Sequence, residues 1–217
     1  MSSELKKRIL TSIALFVMLF LAFLTDFVLL FLLIIIYIFS LFEFMKITEK
    51  IFQFQKTFKY LSNLIFIIYL SIFVFLFFLL SLNQQFKILI FYLIMICILS
   101  DIGGLLFGRI FKGPKLTKIS PKKTITGSIG SFFLPIIFSL MIQVYYSIPV
   151  NLSTLIFFTL LVSLGSQLGD ILFSFLKRKS KLKDTGNILP GHGGLLDRID
   201  GILLGIPVGL IALIILS

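Results

Sequence analysis

Seven apolar stretches, each near the length of a membrane-crossing helix, constrain this chain more than any other feature. A hydrocarbon layer of about 30 Å takes about 20 helical residues. On that rule the spans fall at roughly 9–25, 27–46, 59–82, 87–110, 125–147, 152–177 and 200–217. Of the 217 residues 59% are hydrophobic and the mean hydropathy is +1.14, more apolar surface than a water-soluble domain can bury. The predicted fold is therefore all-α, a polytopic helical integral membrane protein with about seven transmembrane helices. The first stretch follows Lys6, Lys7 and Arg8 as in a secretory leader. Its run from Ile9 to Leu24 is long for one and no small-residue cleavage site closes it, so it reads as a retained span. The chain 1–217 reads as a single membrane domain. Its N-terminal spans occupy 1–99; the half that carries the chemistry occupies 100–217, with polar loops 111–124 and 178–199.

The net charge of +11 could suggest nucleic acid, but its distribution argues otherwise. All of the 20 Lys and Arg residues except Lys87 fall in 1–8, 46–59, 109–124 and 177–199. Alternate loops that hold the positive charge are cytoplasmic. This puts the N-terminus and both polar loops in the cytoplasm and the C-terminus outside, as in a bacterial inner (cytoplasmic) membrane. The outer loops 25–26, 83–86 and 148–151 leave function to the membrane and its cytoplasmic face. One cysteine, Cys97, and one histidine, His192, exclude a disulfide framework and make a structural zinc site untenable.

Three acids lie within spans: Glu43, Asp101 and Asp170. A carboxylate at the centre of a span costs roughly 2.5–3.5 kcal/mol and usually marks function. Asp170 belongs to a stripe of Ser163, Ser166, Gln167, Ser174 and Lys177 on one helical face. Asp101 shares a face with Cys97, Gly104 and Gly108. At 1.5 Å per residue, Asp101 and Asp170 both sit about 10–12 Å below the cytoplasmic ends of their helices, a depth at which both would line one cavity. Glu43 reads as an interfacial acid paired with Lys46 or Lys50. Gly201, Gly205 and Gly209 recur every fourth residue, a face for close helix packing. The last span is short, so Asp197 and Asp200 at its start would descend towards Asp170.

The loop 111–124, FKGPKLTKISPKKT, offers five lysines with Thr117, Ser120 and Thr124. It would serve phosphates, or topology and anionic headgroups. The second loop is richer. It carries Ser174-x-x-Lys177-Arg178, Lys183-Asp184, Pro190-Gly-His192-Gly193-Gly194 and Asp197-Arg198-x-Asp200. This spacing resembles the signature of the phosphatidate cytidylyltransferases (CDP-diacylglycerol synthases). Ile119-Ser-Pro-Lys-Lys-Thr124 is similar to the family's ISPKKT run, and Asp101-x-Gly103 through Gly108-Arg109 to its preceding helix. Two positions depart from the pattern. Ile125-Thr126-Gly127 stands where the family has Trp-Glu-Gly, and Phe173 stands where its Gly-Asp-x-x-Glu-Ser run has Glu. The chain is also shorter than typical members.

The resemblance implies transfer of a cytidylyl group from CTP to phosphatidate, giving CDP-diacylglycerol and pyrophosphate. It implies Mg2+ held by Asp170 and Asp197, with a second cation such as K+ left open. These two, with Lys177 and Arg178, are the expected catalytic residues. Expected substrate or phosphate contacts are Asp101, Ser120, Lys122, Lys123, Thr124, Lys183, Asp184, His192, Gly193, Gly194, Arg198 and Asp200. For His192 a purely structural loop role stays open. Phosphoryl chemistry of this kind asks the protein for positioning and charge neutralisation rather than covalent work. Partners are then CTP and phosphatidate in the bilayer, without nucleic acid; a homodimer is left open. Neither a Walker A run nor a GxSxG elbow occurs. Two alternatives remain, a CTP-dependent polyprenol or phytol kinase and a lipid or ion transporter. The full PGHGG-x-x-DRxD loop speaks against the first, and the lack of inverted repeats against the second.

Overall fold

The computed structural model describes residues 3–117, 120, 123–186, 188 and 193–216, with side chains from residue 10 onward. Among these residues all regular structure is helical: α1 (Ser3–Leu24), α2 (Asp26–Ile51), α3 (Lys56–Ser81), α4 (Gln84–Phe111), α5 (Ile125–Tyr146), α6 (Leu152–Lys179) and α7 (Leu196–Leu216). The seven helices match the seven expected stretches. Six of them, α2 to α7, are long and apolar enough to cross a membrane; the apolar part of α1, Leu10–Leu24, is shorter. Two boundaries differ in an instructive way. Helix α2 runs on to Ile51 through a polar end, with Lys50 in its last turn, where a cation suits the carbonyl end of the helix. Helix α7 starts at Leu196 rather than near Asp200, with Asp197 in its first turn, where an acid suits the amide end.

The described chain divides into two compact units. The first combines Met1–Ile88 with Leu176–Ile199. Here α1 packs on α2 and α2 on α3. Leu29, Leu33, Phe44, Ile47, Phe66 and Leu70 are buried, and the rings of Phe44 and Phe66 stack with centroids 3.8 Å apart. Polar side chains inside this apolar seam are paired. Thr48 Oγ1 donates to Asn63 Oδ1 at 2.7 Å, and Tyr37 and Ser71 share a hydroxyl bond of 3.0 Å. Lys87, the exception to the charge pattern, is buried and donates to Asp26 Oδ1 at 2.7 Å. Its charge is met by a carboxylate at the start of α2.

The second unit combines Leu89–Phe175 with Asp200–Ser217. Helices α4 and α5 meet through glycines: a Cβ on Gly127 would lie 2.8 Å from the Gly104 carbonyl oxygen, and one on Gly104 2.6 Å from Ser131 Oγ. The expected stripe on α7 is indeed packing. Gly201 faces Ser166, Gly205 faces Cys97, and Gly209 faces Leu93. The polar stripe of α6 points inward, since Ser163, Ser166 and Ser174 are buried. Ser128 Oγ donates to Gln167 Oε1 at 2.5 Å.

Candidate functional site

In the second unit the loop between α4 and α5 is a short hairpin. Lys115 and Thr124 form an antiparallel bridge; Leu116 N donates to Lys123 O at 2.8 Å, and Ile125 N to Pro114 O at 2.9 Å. Thr124 is the N-cap of α5, with extended backbone (φ −116°, ψ 157°) and its hydroxyl accepting from Gly127 N at 3.0 Å. That hydroxyl also meets Thr126 Oγ1 at 3.1 Å, and Thr126 Oγ1 accepts from Gly113 N at 3.2 Å. Two amides, Gly127 N in the first turn of α5 and Gly113 N just past α4, are thus tied by two hydroxyls. The carbonyl of Ser120 accepts from Lys123 N at 3.0 Å, within the same turn.

This hairpin aims Lys123 at Asp170. Lys123 Nζ lies 2.5 Å from Asp170 Oδ2, with side chains 23% and 30% exposed. Ser174 Oγ donates to Asp170 Oδ1 at 3.3 Å. The cost of an acid in a span is therefore offset by a lysine from a loop that spacing alone does not connect to it. Asp101 is exposed on α4. Asp200 is buried, and its Oδ1 accepts from Gly201 N at 2.9 Å.

In the first unit Asp197 organises the other loop. Its Oδ1 accepts from Lys177 Nζ at 2.7 Å; its Oδ2 accepts from Thr185 N at 2.8 Å and Gly194 N at 3.1 Å. The Lys177 and Asp197 side chains are only 13% and 9% exposed. Gly193 has φ +85°, a left-handed conformation that suits glycine, and lies beside Asp197 and Asp184. Arg178, Lys183, Asp184 and Arg198 are exposed around this loop. Lys122 and His192 lie outside the described residues.

Glu43 corrects an expectation. It does not pair with Lys46 or Lys50; it is 1% exposed and accepts three hydrogen bonds. They come from Thr185 Oγ1 at 2.8 Å, Leu195 N at 3.0 Å and Leu196 N at 2.8 Å. The i+3 spacing to Lys46 misdirects the reading, because the true donors lie 142 to 153 residues away in sequence. The one local signal is that Glu43 interrupts the apolar run of α2 before its polar end.

The donor chemistry for a divalent cation differs between the two expected ligands. Among the described residues no group of three His, Cys, Asp or Glu side chains could hold a metal. Mg2+ needs no such cage, since it usually takes one or two carboxylates together with substrate phosphates and water. Asp170 fits: it is partly exposed and is held by one lysine and one hydroxyl. An ionised carboxylate has about four acceptor positions. Among the described residues, protein donors fill three at Asp197, one on Oδ1 and two on Oδ2.

A sequence model described as the Cytidylyltransferase family matches residues 53–216, which takes in both polar loops and both carboxylates. The chain belongs to the cytidylyltransferase family. Among curated proteins, a phosphatidate cytidylyltransferase of Staphylococcus aureus is 43% identical over 119 residues, 54% of this chain and 46% of the relative. That of Staphylococcus epidermidis is 41% identical over 110 residues, 50% of this chain and 42% of the relative. The matched stretch is thus less than half the length of these relatives.

As a cytidylyltransferase family member, the chain handles its two departures locally. Thr126, in place of Glu, closes the net between Gly113 and Thr124. Phe173, also in place of Glu, is buried in the core of the second unit. Neither position carries a charge that Lys123 or Asp170 needs to balance. Glu43 lies on α2, before residue 53, and so outside the part of the chain that matches the family.

Proposed function

We propose that this chain transfers a cytidylyl group from CTP to phosphatidate, giving CDP-diacylglycerol and pyrophosphate. The observation that carries this reading is the family match over 53–216, which contains both basic loops and the aspartates they surround. A phosphate oxygen of phosphatidate attacks the α-phosphorus of CTP. The bond from that phosphorus to the bridging oxygen breaks, and pyrophosphate leaves with the bond's electron pair. The phosphatidate phosphate is already anionic, so no strong base is required. Lys123, Lys177 and Arg178 are assigned to the phosphates, together with Lys122 and Lys183. Fixed cations of this kind stabilise charge on the leaving group without reorganising during the reaction. Asp170 and Asp197 are assigned to Mg2+, which when bound would neutralise phosphate charge. Asp170 would offer its partly exposed carboxylate, and Asp197 would offer Oδ1.

The reading includes a topology with the N-terminus and both basic loops in the cytoplasm of a bacterial inner membrane and α1 as a seventh span. The separation of all Lys and Arg residues but Lys87 onto one side supports it. A reporter fused within 178–190 should then read cytoplasmic, and one after Ser217 extracytoplasmic. The decisive assay uses purified protein, phosphatidate, labelled CTP and Mg2+. Formation of CDP-diacylglycerol that stops on chelation is the expected result; folded protein that turns over no phosphatidate would overturn the reading.

A further inference from the structure

Two carboxylates grip the polar loop of the first unit at both of its stems. Thr185 gives its amide to Asp197 and its hydroxyl to Glu43. On the returning stem, Gly194 N donates to Asp197, and Leu195 N and Leu196 N donate to Glu43. The stems around Thr185 and around Gly194 to Leu196 are thereby tied to the same two carboxylates and cannot slide apart without unpairing a buried one. Leu196 opens α7, so Glu43 also acts as a cap delivered from another helix, at the end where a negative charge suits the aligned peptide dipoles.

The grip is built around glycine. A Cβ on Gly194 would collide with Thr185 Oγ1 and approach Glu43 Oε2 to 2.5 Å, and one on Gly186 would strike Glu43 Oε1. Among the described residues no lysine or arginine forms an ion pair with Glu43. Its charge is met by two amides and one hydroxyl of a single loop. A buried carboxylate satisfied in this way is costly to form and costly to disturb, because any loop movement strands the charge. Apolar packing would close α2 more cheaply. What the carboxylate adds is a fixed pairing of Thr185 on one stem with Leu195 and Leu196 on the other.

We infer that Glu43 is a positioning residue. It holds the stems at Thr185 and at Leu195–Leu196 so that Lys183 beside the first, and Lys177 through Asp197, are arranged for the triphosphate before it arrives. This rests on the cytidylyl-transfer reading for the identity of the ligand, but the clamp itself does not. Preorganised donors bind more tightly because less ordering remains to be done on binding.

The test uses the full chain in detergent with Glu43→Gln and the milder Thr185→Val. Equilibrium binding of labelled CTP, steady-state kinetics on monodisperse protein, and amide hydrogen exchange are compared with wild type. In E43Q, losing a charge-assisted acceptor should weaken CTP binding and raise its KM by about 10-fold or more. The KM for phosphatidate should stay within about twofold, and exchange over 185–196 should accelerate. T185V should shift CTP binding in the same direction by a smaller factor, which keeps the test valid if E43Q does not fold. Unaltered exchange over 185–196 would overturn the clamp. Faster exchange with an unchanged Kd and KM for CTP would reduce Glu43 to a packing role and overturn its positioning role. Wild-type protein that binds CTP without turnover would sink the activity reading, while the Kd comparison would still decide the role of Glu43. Wild-type protein that binds no CTP would overturn both.

Discussion

The two polar loops solve the same problem with different materials. The loop before α5 is held by neutral hydroxyls: Thr124 and Thr126 tie Gly113 and Gly127, and a backbone bridge does the rest. The loop before α7 is held by carboxylate oxygen: Asp197 and Glu43 take five hydrogen bonds from Thr185, Gly194, Leu195 and Leu196, while Lys177 pairs with Asp197. A net hydrogen bond between neutral groups contributes about 0.5–1.5 kcal/mol, one to a charged group about 1.5–3. The first loop should therefore tolerate single substitutions in its frame, and the second should not. Charge is used differently too. Asp170 keeps part of its surface open beside Lys123, whereas Asp197 is nearly enclosed.

Substitutions can break this contrast, beginning with the largest. Asp197→Asn removes the partner of a largely buried lysine and a double amide acceptor. Breaking such a pair costs about 3–5 kcal/mol, so a marked fall in thermal midpoint should accompany loss of turnover by about 10²-fold or more. Asp170→Asn should lose turnover by a similar factor, about 10² or more if it serves a metal-stabilised transition state, with a much smaller change in midpoint. Equal destabilisation in the two variants would erase the distinction between a framework carboxylate and an available one. Near-normal activity across a Mg2+ titration would remove that residue from the metal assignment.

Lys123→Gln comes next. It should raise the KM for CTP or slow turnover several-fold, because a charge-assisted contact to phosphate is lost and Asp170 loses its partner. Unchanged kinetics would leave the first loop as a determinant of topology alone. The smallest effect is expected for Thr124→Ala. Loss of an N-cap typically costs about 1 kcal/mol, so the midpoint should drop by a few degrees, with a smaller loss of turnover than in Lys123→Gln. A collapse of folding in this variant would show the hydroxyl frame to be as unforgiving as the carboxylate one.

Much of the helical framework is legible in the amino-acid sequence, because an apolar run of about 20 residues permits few alternatives. The boundaries that shift have a common cause. The start of α7 contains Asp197, Arg198 and Asp200, which look like loop by hydropathy, although acids favour a helix N-terminus. The individual charged positions at Lys123, Asp170, Lys177 and Asp197 are also legible. Their pairing is not: the partners of Asp170 and Glu43 come from distant loops, and only the folded chain joins them. Local spacing even supplies a decoy in Lys46. Thr126 and Phe173 look like losses against the family pattern, yet one closes a hydroxyl net and the other fills a core.

The position of Glu43 has a consequence for biosynthesis. Helix α2 leaves the ribosome long before its loop partners exist, since Thr185 is 142 residues further on. At roughly 5–20 residues per second that delay is about 7–30 s. Through that interval the nascent chain carries a carboxyl group with no native donors, and α2 must wait with that end accessible to water. The final assembly step of the first unit is then the arrival of the last polar loop, which discharges this waiting group. A chain terminated before residue 185 should retain the earlier helices yet expose Glu43 permanently, giving membrane quality control a defined feature to recognise.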